Sequence, residues 1–267
     1  CIEELVIRGG RNRSGPLRFS KMQKAWYIFD LLWVSDLQSL NLYFSVFQGD
    51  RGRAREMTEN RTSNYEKMKE DMAAVFLEYD QEKMIRKFSL EHEENYLFIF
   101  FTGRRYRIHR HTGAVSWSKD SFQTEEKADY NEAMTIYDVL CYSKEHCRLA
   151  GEWINVGSLS AVRGGTLAKA GNFFQNAGEY FDGKTDALAH ACEVLQGRKI
   201  KRGDVGYELD LFPFLPLSLC FWEADEEFPA SLQILTDKNI LDYMHYETLM
   251  FAITHVIHRL KAECEQF

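Results

Sequence analysis

Four carboxylates fall within five residues at Glu223, Asp225, Glu226 and Glu227. Oxygen ligands at such density suit Mg²⁺ or Ca²⁺, and crowded carboxylates raise one another's pKa, as acid–base chemistry requires. The run lacks the Asp-x-Asp-x-Asp-Gly spacing of an EF-hand loop, and, with a cation or partner site or catalysis as the alternatives, its plainer reading is a solvated turn between strands. In that case Trp222 and Phe228 are the anchors, with both rings buried. Asp225 and Glu226 then reach water, because burying an unpaired carboxylate is costly.

A second candidate is the segment Arg163-Gly164-Gly165-Thr166. Two glycines let a ligand approach the backbone closely, and Thr166 can cap the helix that follows. Free N–H groups and the positive dipole end at that helix start favour an anion. Arg163 can add a bidentate contact, and Trp153 is expected in the pocket wall. The expected ligand is a small anion bearing phosphate or carboxylate; the alternative, and the plainer reading, is a flexible link into a normally capped helix.

Arg105, Arg107, His109 and His111 recur at period two. They form either an anion-binding stripe, which could dock the acidic loop, or an exposed face that guards a strand edge. His109 and His111 have no third ligand nearby in sequence, so no metal is assigned. His255 and His258 lie three apart, with His255 opposite the apolar stripe of its helix, and both are expected to face solvent. No Gly-x-Ser-x-Gly, Walker loop, dinucleotide fingerprint or His-Glu-x-x-His occurs, and no nucleophile–base constellation is visible. Catalytic residues and cofactors therefore stay unassigned.

These residues are spaced along a chain of helices and short strands. Tyr65, Met68, Met72, Val75, Phe76 and Tyr79 mark one face of a helix, and a short helical stretch follows around 81–88. Tyr96–Phe101, Tyr106 with Ile108, and Val115 with Trp117 predict a hairpin or meander. Ala133, Met134, Tyr137, Leu140 and Cys141 share a helix face, and a short strand falls around 152–156. A helix opens after Thr166, breaks at Asp182-Gly183-Lys184 and resumes to Gly197. Val205, Tyr207, Leu209 and Leu211 alternate as a strand, and runs at 217–222 and 232–235 follow. Pro213 and Pro216 mark an edge or a bulge there. Tyr246, Leu249, Met250, Ile253, Ile257 and Leu260 predict a final helix. The order fits an α+β fold with a largely antiparallel sheet packed by amphipathic helices in a single domain.

The 267 residues are 45% hydrophobic and 27% charged, the balance of a chain that buries a sizeable core. A net charge of −7 supplies no basic field for nucleic acid or anionic lipid. The six cysteines, Cys1, Cys141, Cys147, Cys192, Cys220 and Cys264, form no Cys-x-x-Cys pair and read as structural thiols in a reducing cytoplasm.

Residues 1–56 differ from the rest. They carry a net +3, which leaves −10 for 57–267. The apolar run from Ala25 has the length of a membrane span, but Asp30 and Asp36 lie inside it, each costing about 2.5–3.5 kcal/mol at a bilayer centre. Met57 opens a segment that reads as a natural N-terminus. Residues 1–56 are therefore expected to be translated upstream sequence or a disordered extension, with a genuine extension as the alternative, and 57–267 to be the domain.

The stretch Leu211-Phe-Pro-Phe-Leu-Pro-Leu-Ser-Leu-Cys-Phe-Trp-Glu-Ala-Asp-Glu-Glu-Phe-Pro229 resembles the signature of domain-of-unknown-function family 3786. Tyr137-Asp-Val-Leu-Cys-Tyr142, Gly151-Glu-Trp-Ile154 and Gly164-Gly165 agree, and the resemblance extends from about Tyr65 to Leu260. It implies a bacterial, often anaerobic setting and brings no settled activity. Some relatives carry an added iron–sulfur domain, but this chain lacks a clustered-cysteine run, so no cluster is assigned. The resulting reading is a non-catalytic accessory or binding module for a small anionic ligand, a cofactor or a protein partner. The alternative is an enzyme that uses the acidic loop as a metal or acid–base site. A chain beginning at Met57 is expected to melt at the temperature of the longer chain; a loss of several degrees would place residues 1–56 in the fold.

Overall fold

The structure is a computed structural model that describes the backbone of residues 51–159 and 167–267 and the side chains of residues 64–159 and 174–267. Expectations for the N-terminal apolar run, and for Arg163, Gly164, Gly165 and Thr166, lie outside the described residues. Helix α1 (Arg51–Phe76) buries Met72 and Phe76. Helix α2 (Gln81–Phe88) is capped by Asp80, whose side chain accepts the Lys83 N–H at 3.0 Å. It ends where Ser89 turns left-handed. Such a short helix depends on its cap and on burying Met84 and Ile85, which leaves its basic residues on the outer side.

An apolar run and two alternating strands build the first sheet. Strands β1 (Glu91–His92), β2 (Tyr96–Phe101), β3 (Arg104–His109), β4 (Val115–Trp117) and β5 (Glu126–Lys127) pair antiparallel in chain order. Leu97, Ile99, Phe101, Tyr106, Ile108, Val115 and Trp117 point into the core. On the opposite face, Arg105 pairs with Glu91 at 2.7 Å and lies over the Phe98 ring. Arg107 pairs with Glu125 and lies over Tyr96 and Phe122. The basic stripe is thus satisfied by carboxylates and rings of its own region, not by the acidic loop.

Helix α3 (Tyr130–Tyr142) starts from a capping box in which Asp129 and Glu132 each accept the other's backbone N–H. Strand β6 (Trp153–Asn155), helices α4 (Leu167–Phe181) and α5 (Thr185–Val194), and strands β7 (Arg198–Lys199), β8 (Val205–Phe212), β9 (Leu215–Trp222) and β10 (Ser231–Asp237) follow. Their sheet has the order β6-β10-β9-β8-β7, antiparallel throughout. The fold class is α+β, with the strands divided between two antiparallel sheets. Pro213 lies in the β8–β9 turn, and Pro216 pairs with Asp210 beside a register shift. The prolines therefore mark a turn and a bulge between interior strands, not a sheet edge.

Helix α6 (Tyr246–Cys264) closes the structure. It packs against α3 and α5, while α4 lies on β10 and α5 on β8. From Thr248 to Ile257 it has no exposed residue. The expected one-sided stripe is therefore too narrow: His255 is 4% exposed, which corrects the expectation of a solvent-facing histidine. His258 is exposed. Residues Met57–Phe267 hold together as one unit, and no described helix is long and apolar enough to cross a membrane.

Two glycines separate backbone strain from crowding. Gly113 and Gly151 share a φ of 73°, but a Cβ at Gly113 would sit 2.6 Å from the Ala73 carbonyl oxygen, whereas one at Gly151 meets nothing. Gly113 also offers its carbonyl to the buried Tyr137 hydroxyl at 2.7 Å. Gly151→Ala is expected to cost about 1 kcal/mol in urea unfolding, and Gly113→Ala about 2–4 kcal/mol. Equal losses would show that α1 gives way freely there.

Candidate functional site

Helix α2 presents Lys83, Arg86 and Lys87 at i, i+3 and i+4, which places them along one side. Opposite them runs the segment after α3, with Glu145, His146 and Cys147. Between the two lies an open groove of about 480 Å³, lined also by Phe88, Phe214 and Tyr243. The opposite segment is held in place by its backbone. Asp237 accepts N–H bonds from Ala150, Gly151 and Asn239 at 2.8–2.9 Å, and Asn239 donates to the Arg148 carbonyl at 3.1 Å. The Lys144 N–H donates to the Asp242 carbonyl at 2.8 Å.

The groove's cations differ in their commitments. Lys87 donates to both oxygens of Ser143 at 2.7 and 3.0 Å and to the Lys144 carbonyl at 2.6 Å. Burial lowers its pKa, partly offset by Cys147. Lys83 pairs with Glu145 at 2.9 Å. Arg86 is exposed and has no hydrogen bond or ion pair among the described residues. The side of the groove bounded by α2 therefore offers a guanidinium with unfilled donors beside two further cations.

Its floor is aromatic and continues inward. Phe88 stacks on Phe214 at 4.5 Å, Phe214 on Phe212 at 5.4 Å, Phe212 on Phe101 at 5.0 Å, and Phe101 on His255 at 4.8 Å, with no interplanar angle above 23°. This column ends at a buried polar cluster. Glu132, 3% exposed, accepts from the Tyr106 hydroxyl at 2.7 Å and Arg104 at 3.1 Å through one oxygen. His255 Nδ1 lies 3.6 Å from that same oxygen. Arg259 donates to the Thr102 carbonyl at 3.0 Å, and the His255 Nε2 has no hydrogen-bond partner among the described residues.

Asp129, Glu132 and His255 bring one ligand atom each within 4.8 Å of one another, close enough to share a metal ion. The donor types suit Zn²⁺. The surroundings do not suit a dication: Arg104 already neutralises Glu132, and Arg104 and Arg259 together repel positive charge at His255. The trio fits a neutralised structural network better than a metal centre.

A second carboxylate–imidazole pair joins α3 to α6. Asp138, 2% exposed, accepts from the His245 backbone N–H and faces its Nδ1, each at 2.7 Å. The Asp138 hydrogen bond raises the His245 pKa, while burial opposes it.

The residues expected from sequence fall elsewhere. Trp153 lies on β6, 42% exposed, and does not line the groove. Glu223, Asp225, Glu226 and Glu227 are exposed in the β9–β10 connection. Trp222 is half-buried, but Phe228 is 66% exposed, so the paired aromatic anchors are not there. Hydrogen bonds pin this loop instead. Asp225 accepts from the N–H groups of Glu227 and Phe228, Asp204 from Glu223, and Asp182 from Ala224. Those two backbone bonds hold the Asp225 carboxyl below its usual range. The groove was missed, although Lys83, Arg86 and Lys87 on one short helix were a usable signal.

Fold and groove define the class: an α+β domain of two antiparallel sheets, closed by a buried helix, with a basic cleft over an aromatic column. The chain belongs to the family described as Domain of unknown function (DUF3786), whose model matches residues 80–259. That span contains every groove residue and both carboxylate–histidine pairs. No curated protein and no solved structure matches the chain.

Burial, reinforced by Arg259 and Arg104, lowers the His255 pKa from 6.5 to about 3. The folded value lies below the unfolded one, so this contribution to stability is complete above pH 6.5 and is lost as the pH falls towards 3. Glu132, raised by burial, has the opposite sign: its contribution is present below its unfolded value and lost as the pH rises through its folded one. Urea unfolding of the natural chain should therefore weaken between pH 6.5 and 5 by up to about 1.4 kcal/mol per pH unit more than that of His255→Leu. Parallel pH profiles would mean that His255 takes up its proton in the folded state.

Proposed function

We propose that the domain is a non-catalytic binding module for a small anionic ligand, taken up in the groove between α2 and the Glu145–Cys147 segment. One observation carries this reading: Arg86, with its donors unfilled, stands beside Lys83 and Lys87 on the rim of a cavity of about 480 Å³, a volume within the ordinary range for small-molecule sites. His146 adds a donor from the facing side, and the Phe88–Phe214 stack offers an apolar floor. Phosphate or carboxylate groups suit the guanidinium, and a ligand body of modest size suits the rings. The free thiols of Cys141, Cys147, Cys192, Cys220 and Cys264 and the family's expected bacterial setting support a reducing cytoplasm as its location.

The enzymatic alternative draws its support from the Asp138–His245 pair and not from the acidic loop. A buried carboxylate that orients an imidazole is a recurring arrangement in acid–base chemistry. It also caps α6, which accounts for it without a substrate.

Titration with inorganic phosphate and with small di- and tricarboxylates tests the binding reading. The amide resonances of Arg86, Lys87 and His146 are expected to shift, and the affinity to fall as salt rises. Arg86→Ala combined with Lys83→Ala should weaken binding at least about tenfold, the scale of a lost charge-assisted contact. Resonances that stay fixed with all of these anions would remove the reading.

A further inference from the structure

The acidic loop and the basic groove lie at opposite ends of one strand. Strand β9 leaves the groove at Phe214 and reaches the loop at Glu223, after the eight residues Leu215–Trp222. At the rise of an antiparallel strand this sets the two about 25 Å apart, so the loop cannot fill its own groove. Each end is built as the complement of the other. Asp204 and Asp182 fix the loop backbone from neighbouring segments, and Asp225 spends its carboxylate on the Glu227 and Phe228 N–H groups. Glu223, Glu226 and Glu227 are exposed and form no ion pair among the described residues. Beside them the Phe228 ring is 66% exposed, the highest value for a large apolar side chain described within residues 80–259. The groove offers the converse: Arg86 with unfilled donors, Lys83 beside it, and the rings of Phe88, Phe214 and Tyr243 as a floor.

We infer that the groove of one copy takes the acidic loop of a second copy, so that the domain associates with itself head to tail. This rests on the reading of the groove as an anion site and gives that site a second occupant. The Glu226 and Glu227 carboxylates meet Arg86 and Lys83, and the Phe228 ring covers the Phe88–Phe214 stack. Lys83 leaves only an exposed pair with Glu145, which is worth little. The loop is already pinned by its own backbone bonds, so docking orders few new groups. One loop in one groove is a small contact of the weak, transient kind. A small anion in the groove therefore displaces the loop, and ligand binding and self-association oppose each other by linkage.

Sedimentation velocity of the full chain, over a rising concentration series at low salt, is the test. The sedimentation coefficient should climb with concentration and fall back as salt is raised. Inorganic phosphate should reverse the association more strongly than chloride of equal ionic strength. Arg86→Ala with Lys83→Ala should weaken it at least about tenfold, and so should Glu226→Gln with Glu227→Gln and Phe228→Ala. The altered side chains are all exposed and Asp225 is left in place, so both variants keep the fold. Mixed in equal amounts, the two variants should pair again, because each supplies the surface that the other lacks. A chain that stays monomeric, association that either variant leaves intact, or a mixture that does not pair overturns the inference. The phosphate titration separates the two failures. Groove resonances that shift in a monomeric chain sink only the self-docking, whereas resonances that stay fixed remove the groove reading as well.

Discussion

Helix α6 has no solvent side between Thr248 and Ile257, and the rest of the domain depends on how that stretch is enclosed. A helix covered all round needs neighbours on every face, and two antiparallel sheets with α3 and α5 supply them. The sheets meet where the Thr102 N–H donates to the Leu211 carbonyl at 2.9 Å and Phe101 stacks on Phe212. His255 and Arg259, on the same helix, are thereby taken out of water. Their presence makes the Glu132 cluster necessary, because buried polar groups need partners. Even so, the His255 Nε2 and the Arg259 Nε have none among the described residues. There packing has outrun polar satisfaction.

The groove follows from the same enclosure at the other end of the aromatic column. Phe214 projects from the β8–β9 turn beyond the sheet and stacks on Phe88 and Tyr243, so the floor extends out to α2. Helix α2 is too short to bury more than Met84 and Ile85, and its cations stay on the rim. The Asp237 clamp then fixes the facing segment independently of any side chain in the groove. Lys87 adds to that support from the lining itself, through its bonds to Ser143 and the Lys144 carbonyl, and Arg86 alone among the α2 cations is left uncommitted among the described residues.

What was legible in the sequence was local. The apolar run Tyr96–Phe101 and the alternation at Arg105–His109 and Val205–Leu211 give strands, and the break at Asp182-Gly183-Lys184 gives two helices, because these signals are written within a few residues. The division into two sheets was not legible, since it depends on β6 joining β10 across two helices. His255 was misread because one polar residue opposite an apolar stripe ordinarily marks the wet side, and only tertiary packing shows that no wet side exists. Phe228 was misread for a related reason. An acidic turn needs a pin, and the aspartates of neighbouring segments supply it where a ring was expected. The Asp138–His245 pair, 107 residues apart, leaves no trace in local spacing.

The aromatic column draws its rings from α2, β2, the β8–β9 hairpin and α6, spread from Phe88 to His255. During synthesis the first sheet is complete once Lys127 has emerged, yet the rings that cover Phe101 arrive only with Phe212 and His255. Helix α3 reaches Tyr106 soon after Lys127, but the ring of Phe101 has no stacking partner on the column until Phe212 emerges, 85 residues later, and lacks its second until His255. Such a nascent chain exposes a broad apolar surface and relies on non-local closure, the condition under which folding is slow and chaperones matter most. A floor shared by both ends of the chain makes the groove among the last features to exist.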